Sequence, residues 1–190
     1  MHFNQKNFIT PIDFNKKYAI IHGIKTTKQR KVKTMATRGR IGIVLDNGTV
    51  TSIYQHWDSY PSCLGATLLN NYKTKEKVEK LIALGDCSSV REEVDIPNGM
   101  THSFDKPLDN VTVAYGRDRG EKGIEPRLDE SEEEFWKSDI EEYGYLFKDG
   151  KWYVATSHGY EDENGNYMPS VRKVVELTDE VIEKEDEVLH

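Results

Sequence analysis

The sequence predicts an α+β fold with a mainly antiparallel sheet built from β-hairpins, with short helices inserted and a further helix at the C-terminus. Two hairpins are indicated by Asn47-Gly48 and Asp149-Gly150, because each dipeptide supplies the positive φ of a tight turn and lies between β-branched or aromatic runs. Between the two hairpins, apolar residues recur at helical spacing. Strand pairs and helices in this order are typical of an α+β domain.

The first hairpin is predicted to join residues 40–45 to residues 50–56. Leucines at helical spacing then predict a short helix over residues 63–72. A second helix is expected after Thr74, which is a suitable N-cap residue, and Gly85 is a natural end for it.

The C-terminal half is predicted to contain a helix that starts at Ser131 and runs toward Ile140, because Ser131 and Glu134 have the spacing of a capping box. The second hairpin pairs residues 143–147 with residues 152–156. The other predicted elements are a short strand at residues 111–115, an edge strand at residues 171–177 and an amphipathic helix at residues 178–189.

Composition bounds the class of protein. With 190 residues and 36% apolar content, the chain suits one domain with a modest core. Its 31% charged residues and mean hydropathy of −0.71 argue against a membrane-embedded protein. We expect no signal peptide, and Cys63 and Cys87 are too few for a disulfide scaffold, so the predicted location is the cytoplasm.

Positive and negative charges are distributed unevenly along the chain. Residues 1–40 contain ten Lys and Arg but a single acid, Asp13, although the whole chain has a net charge of −7. We therefore predict a basic N-terminal extension, residues 1–34, before a single α+β domain, residues 35–190. The basic run at residues 25–33 is suited to nucleic-acid phosphates, and the competing interpretation is a solvated leader.

The first candidate site is the segment that contains His56, Trp57, Asp58 and Tyr60. A histidine and a carboxylate two positions apart can share a proton or orient a substrate, and the two aromatic rings offer stacking surfaces. The alternative is that the rings anchor the core while Asp58 caps a turn.

The second candidate is a glycine- and charge-rich loop, residues 115–121, with Tyr115, Arg117 and Arg119. Guanidinium groups bind phosphates and carboxylates bidentately, and neighbouring glycines allow close backbone approach. The loop matches neither the Walker nor the dinucleotide-binding spacing, so no cofactor is expected. The alternative is that its alternating charges form surface ion pairs with one another.

Nucleophilic or metal chemistry is weakly indicated. A third candidate set is His102, Ser103 and Asp105, together with Cys63, Cys87 and Asp86. It would allow a Ser-His or Cys-His nucleophile pair, but no G-x-S-x-G elbow is present. Cys63 and Cys87, with His56 and His102, have no familiar zinc spacing, so no metal site is expected.

Several motifs resemble a widespread family of small proteins of unknown function encoded by phages and prophages. They are M-A-T-R-G-R-I-G-I from Met35, G-T-V-T-S-I-Y-Q-H-W-D-S-Y-P from Gly48, L-I-A-L-G-D-C-S-S from Leu81, V-A-Y-G-R-D-R-G-E from Val113 and E-E-Y-G-Y-L-F-K-D-G-K-W-Y-V from Glu141. The similarity covers residues 35–156, and family members commonly begin where Met35 stands. It implies a phage origin and carries no catalytic assignment.

The leading hypothesis is therefore a phage-encoded binding protein that acts in the host cytoplasm against a defence system. It would sequester a nucleotide-like signal or cover a host protein, and it is not expected to be an enzyme. Its predicted ligand-binding residues are Arg40, His56, Trp57, Asp58, Tyr60, Tyr115, Arg117 and Arg119. One alternative is a small hydrolase or transferase acting on a phosphorylated metabolite; another is nucleic-acid binding through residues 1–34. No membrane partner is expected, and a homo-oligomer is an open possibility.

Overall fold

The computed structural model describes residues 36–171 and 173–189. The basic extension predicted at residues 1–34, including its basic run, lies outside the described residues. Two sheets are present in the described part: a main sheet of eight strands and a separate two-stranded hairpin.

The first hairpin is confirmed. Strand β1 (Gly39–Val44) pairs antiparallel with β2 (Val50–Gln55), and Ile41 lies opposite Ile53. Gly48 takes a φ of 85° at the turn, and Leu45 N–H donates to the Thr49 carbonyl at 2.8 Å. The Asn-Gly signal therefore places the turn correctly.

Within the described residues the main sheet is mixed: five of its seven strand pairings are antiparallel, as the prediction of a mainly antiparallel sheet requires, and two are parallel. The second hairpin, β6 (Tyr143–Lys148) with β7 (Lys151–Thr156), is antiparallel as predicted. However, β6 lies parallel to β1, and β3 (Cys87–Ser89) lies parallel to β2. The strand order is β10 (Val175–Glu176), β7, β6, β1, β2, β3 and β4 (Val113–Ala114), and β5 (Arg127–Asp129) also pairs with β2.

The helices after the first hairpin follow the prediction closely. A π-helical turn, Pro61–Gly65, leads directly into α1 (Ala66–Asn71). Helix α2 (Lys75–Ile82) is capped by Thr74, whose side chain accepts from the Lys77 N–H at 3.3 Å. Gly85 has a φ of 73°, as expected for a residue that ends a helix.

Other predicted elements differ in length or type. The strand expected at residues 111–115 is reduced to β4 (Val113–Ala114), and the predicted loop after it starts with the helical turn α3 (Tyr115–Arg119). Helix α4 (Glu132–Lys137) is capped by Ser131 but ends before Ile140. The structure also contains β5 (Arg127–Asp129), which the sequence pattern did not predict.

The C-terminal region contains more elements than predicted. An acidic segment forms the small hairpin β8 (Tyr160–Glu161) and β9 (Tyr167–Met168). The predicted edge strand is present as β10 (Val175–Glu176) beside β7. The expected terminal helix is divided into α5 (Asp179–Glu183) and α6 (Glu185–Leu189).

The two faces of the sheet are covered to different extents. The larger core lies on one face and includes Ile41, Ile53, Tyr145 and the buried residues of α1 and α2. A smaller core on the other face is built around Phe135 and Trp136 of α4, which pack near Leu146. This second core covers the β6 side of its face, and the rest of that face carries polar and aromatic residues.

Candidate functional site

Three neighbouring strands place the candidate site on the less covered face of the sheet. Gln55, Cys87 and Ala114 are cross-strand partners on β2, β3 and β4, and all three are buried on the core side. Since side chains alternate along a strand, the adjacent residues point to the opposite face. We call the side chains there the open face: Tyr54, His56, Asp86, Ser88 and Tyr115. Glu141, which precedes β6, lies near enough for its charge to act on the Tyr54 phenol.

Tyr54 and His56 form the centre of the open face. Both side chains are partly exposed, and the Tyr54 hydroxyl lies 2.6 Å from His56 Nδ1, which is a hydrogen-bond distance. The Trp57 ring meets the His56 ring edge to face, with 4.8 Å between centroids. His56 is therefore held on two sides while its ring remains accessible.

Two carboxyl groups lie beside this pair. Burial raises the pKa of Asp86, although Tyr54 N–H, which donates to Asp86 Oδ1 at 2.8 Å, and Arg127 oppose the shift. Burial also raises the pKa of Glu141, assisted by the negative charge of Asp139. Both carboxyls therefore hold a proton more tightly than an exposed carboxyl does, and pKa shifts of this kind are common at functional sites.

Glu141 has a second unusual property. Its φ is 62°, a left-handed conformation that is costly for a residue with a side chain. It also lines a groove of about 600 Å³ with Thr37, Tyr143 and Ser157. Backbone strain of this kind is concentrated at functional sites.

Two arginines border the same region. Arg38 is 46% exposed at its side chain and lies 3.8 Å from Glu142 Oε1. Its positive charge also acts on the Tyr54 phenol, whose pKa is raised by burial and by Glu141. Arg127 is exposed on β5, and its charge acts on Asp86 and on Glu141.

Tyr115 lies at the far end of the open face. Its ring stacks on Phe104 with 6.1 Å between centroids, and the Arg119 guanidinium lies 4.7 Å from the centre of the Phe104 ring. Arg119 also pairs with Glu121 at 3.1 Å. The structure therefore brings Tyr115 and Arg119 together through Phe104, on the side of the face away from Arg38.

The other residues proposed from the sequence lie elsewhere. Arg40 is 3% exposed, and its Nη2 donates to Asp129 Oδ2 at 2.6 Å while Nε donates to Ser52 Oγ at 2.9 Å. It also bonds Ser138 and lies over the Phe135 ring. The Arg40 guanidinium thus links β1 to β2, to β5 and to the end of α4.

Arg117 is likewise engaged by its own chain. Its Nη1 donates to the Val94 carbonyl at 2.6 Å, and its Nε donates to Asp118 Oδ1 at 2.7 Å. Asp118 also accepts from His102 Nε2 at 3.2 Å, and both side chains are almost completely buried. The His102 ring accepts from Leu108 N–H at its other nitrogen, so this network holds a loop in place.

Asp58 lines a cavity that His56 does not line. It is exposed, has a φ of 56°, and lines a cavity of about 260 Å³ with Trp57, Cys63 and Arg91. The negative charge of Asp58 raises the pKa of Tyr60, and burial of the Tyr60 phenol adds to this effect. Thus the predicted aromatic segment is divided, with His56 on the open face, Asp58 on the other side and Trp57 touching both.

Sequence reasoning assigned no functional role to five residues of this region: Arg38, Tyr54, Ser88, Arg127 and Glu141. One signal was available, because Tyr54 and His56 are two positions apart on a predicted strand and so must share a face. The others come from separate segments and converge only in the folded sheet.

Two absences concern the described residues alone. In that part of the chain, no three His, Cys, Asp or Glu side chains are grouped to hold a metal ion. No helix there has the length and apolar character needed to cross a membrane. Comparisons with models of protein families, with curated proteins and with solved structures found no match for the chain.

Proposed function

We propose that the chain is a binding protein and that its open face binds a nucleotide-like small molecule. The observation that carries this proposal is the combination, on one accessible surface, of aromatic rings and guanidinium groups around half-buried carboxyls. Rings provide stacking surfaces for a base, and guanidinium groups bind phosphate bidentately. Rigid strands beneath the site hold these groups in position.

The proposal uses part of the predicted ligand-binding set. His56, Trp57, Tyr115 and Arg119 lie on or beside the open face, and Arg38 and Arg127 supply further positive charge. Arg40 and Arg117 are left out because their guanidinium groups bind other parts of the chain. Asp86 and Glu141 would repel a phosphate when ionised, and the nearby positive charge of Arg127, which acts on both carboxyls, opposes this repulsion.

The biological setting rests on the motif resemblance. If the chain is encoded by a phage, a nucleotide-binding protein in the host cytoplasm would remove a signal on which a defence system depends. We therefore propose counter-defence by sequestration as its role.

Native mass spectrometry of the full chain, purified from a defence-active host, tests the proposal. We expect a bound nucleotide-like molecule that is lost in Arg127→Ala and Tyr115→Ala. It should be retained in Lys137→Ala, because Lys137 is an exposed residue on α4 that lies outside the open face. A titration with ATP, NAD and cyclic dinucleotides then measures affinity. A ligand-free mass, together with no binding to these probes, would overturn the proposal and favour a host-protein partner.

A further inference from the structure

We propose that the protein has a second binding site, which takes a free amino acid and lies in the cavity of about 260 Å³. Asp58, Cys63 and Arg91 are among the residues that line this cavity, which we call the Arg91 cavity. The proposal goes beyond the function proposed for the open face, because none of the open-face side chains lines the Arg91 cavity. Its volume lies below the range of about 300–1,000 Å³ that is typical of pockets for drug-sized ligands, so its ligand must be small.

Buried hydrogen bonds hold the walls of the Arg91 cavity in place. Gln55 lines the cavity and is 2% exposed; its Nε2 donates to the Trp57 carbonyl at 2.5 Å, and its Oε1 accepts from the Val90 N–H at 2.9 Å. The Arg91 backbone is fixed as well, since its carbonyl accepts from the Tyr72 hydroxyl at 2.5 Å. The walls are therefore ordered without a ligand, which reduces the entropic cost of binding.

The Arg91 guanidinium is suited to a carboxylate ligand. Its Nη1 donates to the backbone carbonyl of Asp109, which orients the planar group in the cavity wall. The Nε–H and Nη2–H groups lie side by side on the guanidinium, and neither has a hydrogen-bond or ion-pair partner among residues 36–171 and 173–189. Two such parallel N–H groups bind a carboxylate bidentately, so Arg91 retains the donor pair that this contact requires.

Asp58 supplies the opposite charge in the same cavity. Its carboxylate is exposed and forms no hydrogen bond or ion pair with any of the described residues. Most carboxylates that an arginine can reach are paired with it, yet Asp58 and Arg91 line one small cavity without pairing with each other. The space between them is therefore open to a molecule that meets both charges.

A free amino acid carries the two groups that this arrangement accepts. Its carboxylate would bind the Nε–H and Nη2–H groups of Arg91, and its ammonium group would bind the Asp58 carboxylate. A simple anion would meet Arg91 but would be repelled by Asp58, and a simple cation would leave the Arg91 donor pair without a partner. The paired charges thus favour a zwitterion over either single ion.

The rest of the lining indicates which amino acid side chain is favoured. Glu92 and Asp109 also line the Arg91 cavity, so together with Asp58 they give it three acidic residues against one arginine. Trp57 is 42% exposed and lines the cavity too, and indole rings attract cations. We therefore expect an amino acid with a cationic side chain to bind best and an acidic amino acid to bind worst.

Isothermal titration calorimetry of the full chain with L-arginine tests the proposal. Agmatine lacks the carboxylate of arginine, and Nα-acetyl-L-arginine lacks its charged ammonium group. Each should bind at least about tenfold more weakly than arginine, because each leaves one charged group of the cavity without its partner. L-Glutamate should bind more weakly than arginine as well. No binding of arginine at about 10 mM, or equal binding of agmatine, would overturn the proposal.

Three variants locate the site. Arg91→Gln and Asp58→Asn should each weaken arginine binding at least about tenfold, and asparagine tolerates the φ of 56° at position 58. Thr67→Leu fills part of the cavity without changing its charge, and leucine is a good helix former, so this variant should fold but not bind. Lys73→Gln and Asp105→Asn are the matched controls, because both remove exposed charges outside the Arg91 cavity. Unchanged affinity in Asp58→Asn or Thr67→Leu would overturn the proposal.

Cys63 allows the unaltered chain to report occupancy of the cavity. Its thiol is partly exposed and lines the Arg91 cavity, whereas Cys87 is buried elsewhere. Burial raises the pKa of Cys63, so alkylation by iodoacetamide is followed at alkaline pH by mass spectrometry. With arginine at about ten times its Kd, alkylation of Cys63 should slow about tenfold, because only the ligand-free fraction reacts. An unchanged rate would show that arginine does not occupy this cavity.

Discussion

Replacing Arg40 by methionine separates a structural arginine from a ligand-binding one. The Arg40 guanidinium is 2.6 Å from Asp129 Oδ2, and the two side chains are only 4% and 14% exposed. Burial lowers the pKa of Arg40 while Asp129 opposes this, and an arginine remains charged at neutral pH. Removing it leaves the Asp129 carboxylate poorly solvated and without its counter-charge, so we expect a loss of about 3–5 kcal/mol in the free energy of unfolding.

Urea unfolding of the full chain, followed by circular dichroism, measures this loss. Asp129→Asn and the double variant complete a double-mutant cycle, and we expect the two changes to be coupled by at least about 1 kcal/mol. Lys148→Met is the matched control, since Lys148 pairs with Glu132 at 2.7 Å on the surface and should contribute below about 1 kcal/mol. A loss for Arg40→Met as small as that control would refute the reasoning and return Arg40 to the ligand-binding set.

Two further predictions concern backbone strain and ionisation. Gly85→Ala should destabilise the fold more than Gly48→Ala, because both have positive φ but only at Gly85 would the new Cβ lie 2.3 Å from a carbonyl oxygen, that of Ile124. We expect about 1–2 kcal/mol for Gly48→Ala and a larger loss for Gly85→Ala by urea unfolding, and equal losses would contradict this. Asp86→Asn addresses a carboxyl whose pKa is raised by burial, so the folded state binds its proton more tightly than the unfolded chain. The stability of the parent chain should therefore fall as the pH rises from the ordinary aspartate pKa through the raised value. Asp86→Asn should not show this decrease and should be more stable than the parent chain at neutral pH. Parallel melting-temperature profiles for the two proteins would show that the pKa is not raised.

The hairpins and capped helices were predictable because their signals are local. Asn47-Gly48 and Asp149-Gly150 specify turns within a few residues, and Thr74 caps its helix through one side-chain hydrogen bond. The parallel pairing of β1 with β6 could not be predicted in this way, because it joins Gly39 to Tyr143 across a long stretch of chain. No local turn signal indicates such a long-range contact. The mixed character of the sheet, which follows from this parallel pairing, was therefore not predicted.

The helical turn α3 shows a different limit. Its glycine and alternating charges indicated an irregular loop, but the Asp118 carboxylate accepts the Ala114 N–H at 2.7 Å and stabilises the start of the turn. Arg117 was predicted to bind a ligand because its guanidinium group can bind a carboxylate. The same property explains its structural role. The sequence does not indicate whether that carboxylate belongs to a ligand or, as here, to Asp118.

The location of the open face follows from how far α4 reaches across the sheet. Phe135 and Trp136 of α4 cover Leu146 and its neighbours on β6. If a further helix covered the same face over β2, β3 and β4, apolar side chains would be expected there. A face left simply to water would instead favour small or charged side chains. Tyr54, His56 and Tyr115 fit neither case, because they combine aromatic area with polar atoms and are only half-buried. Their character supports the proposal that this face binds a ligand.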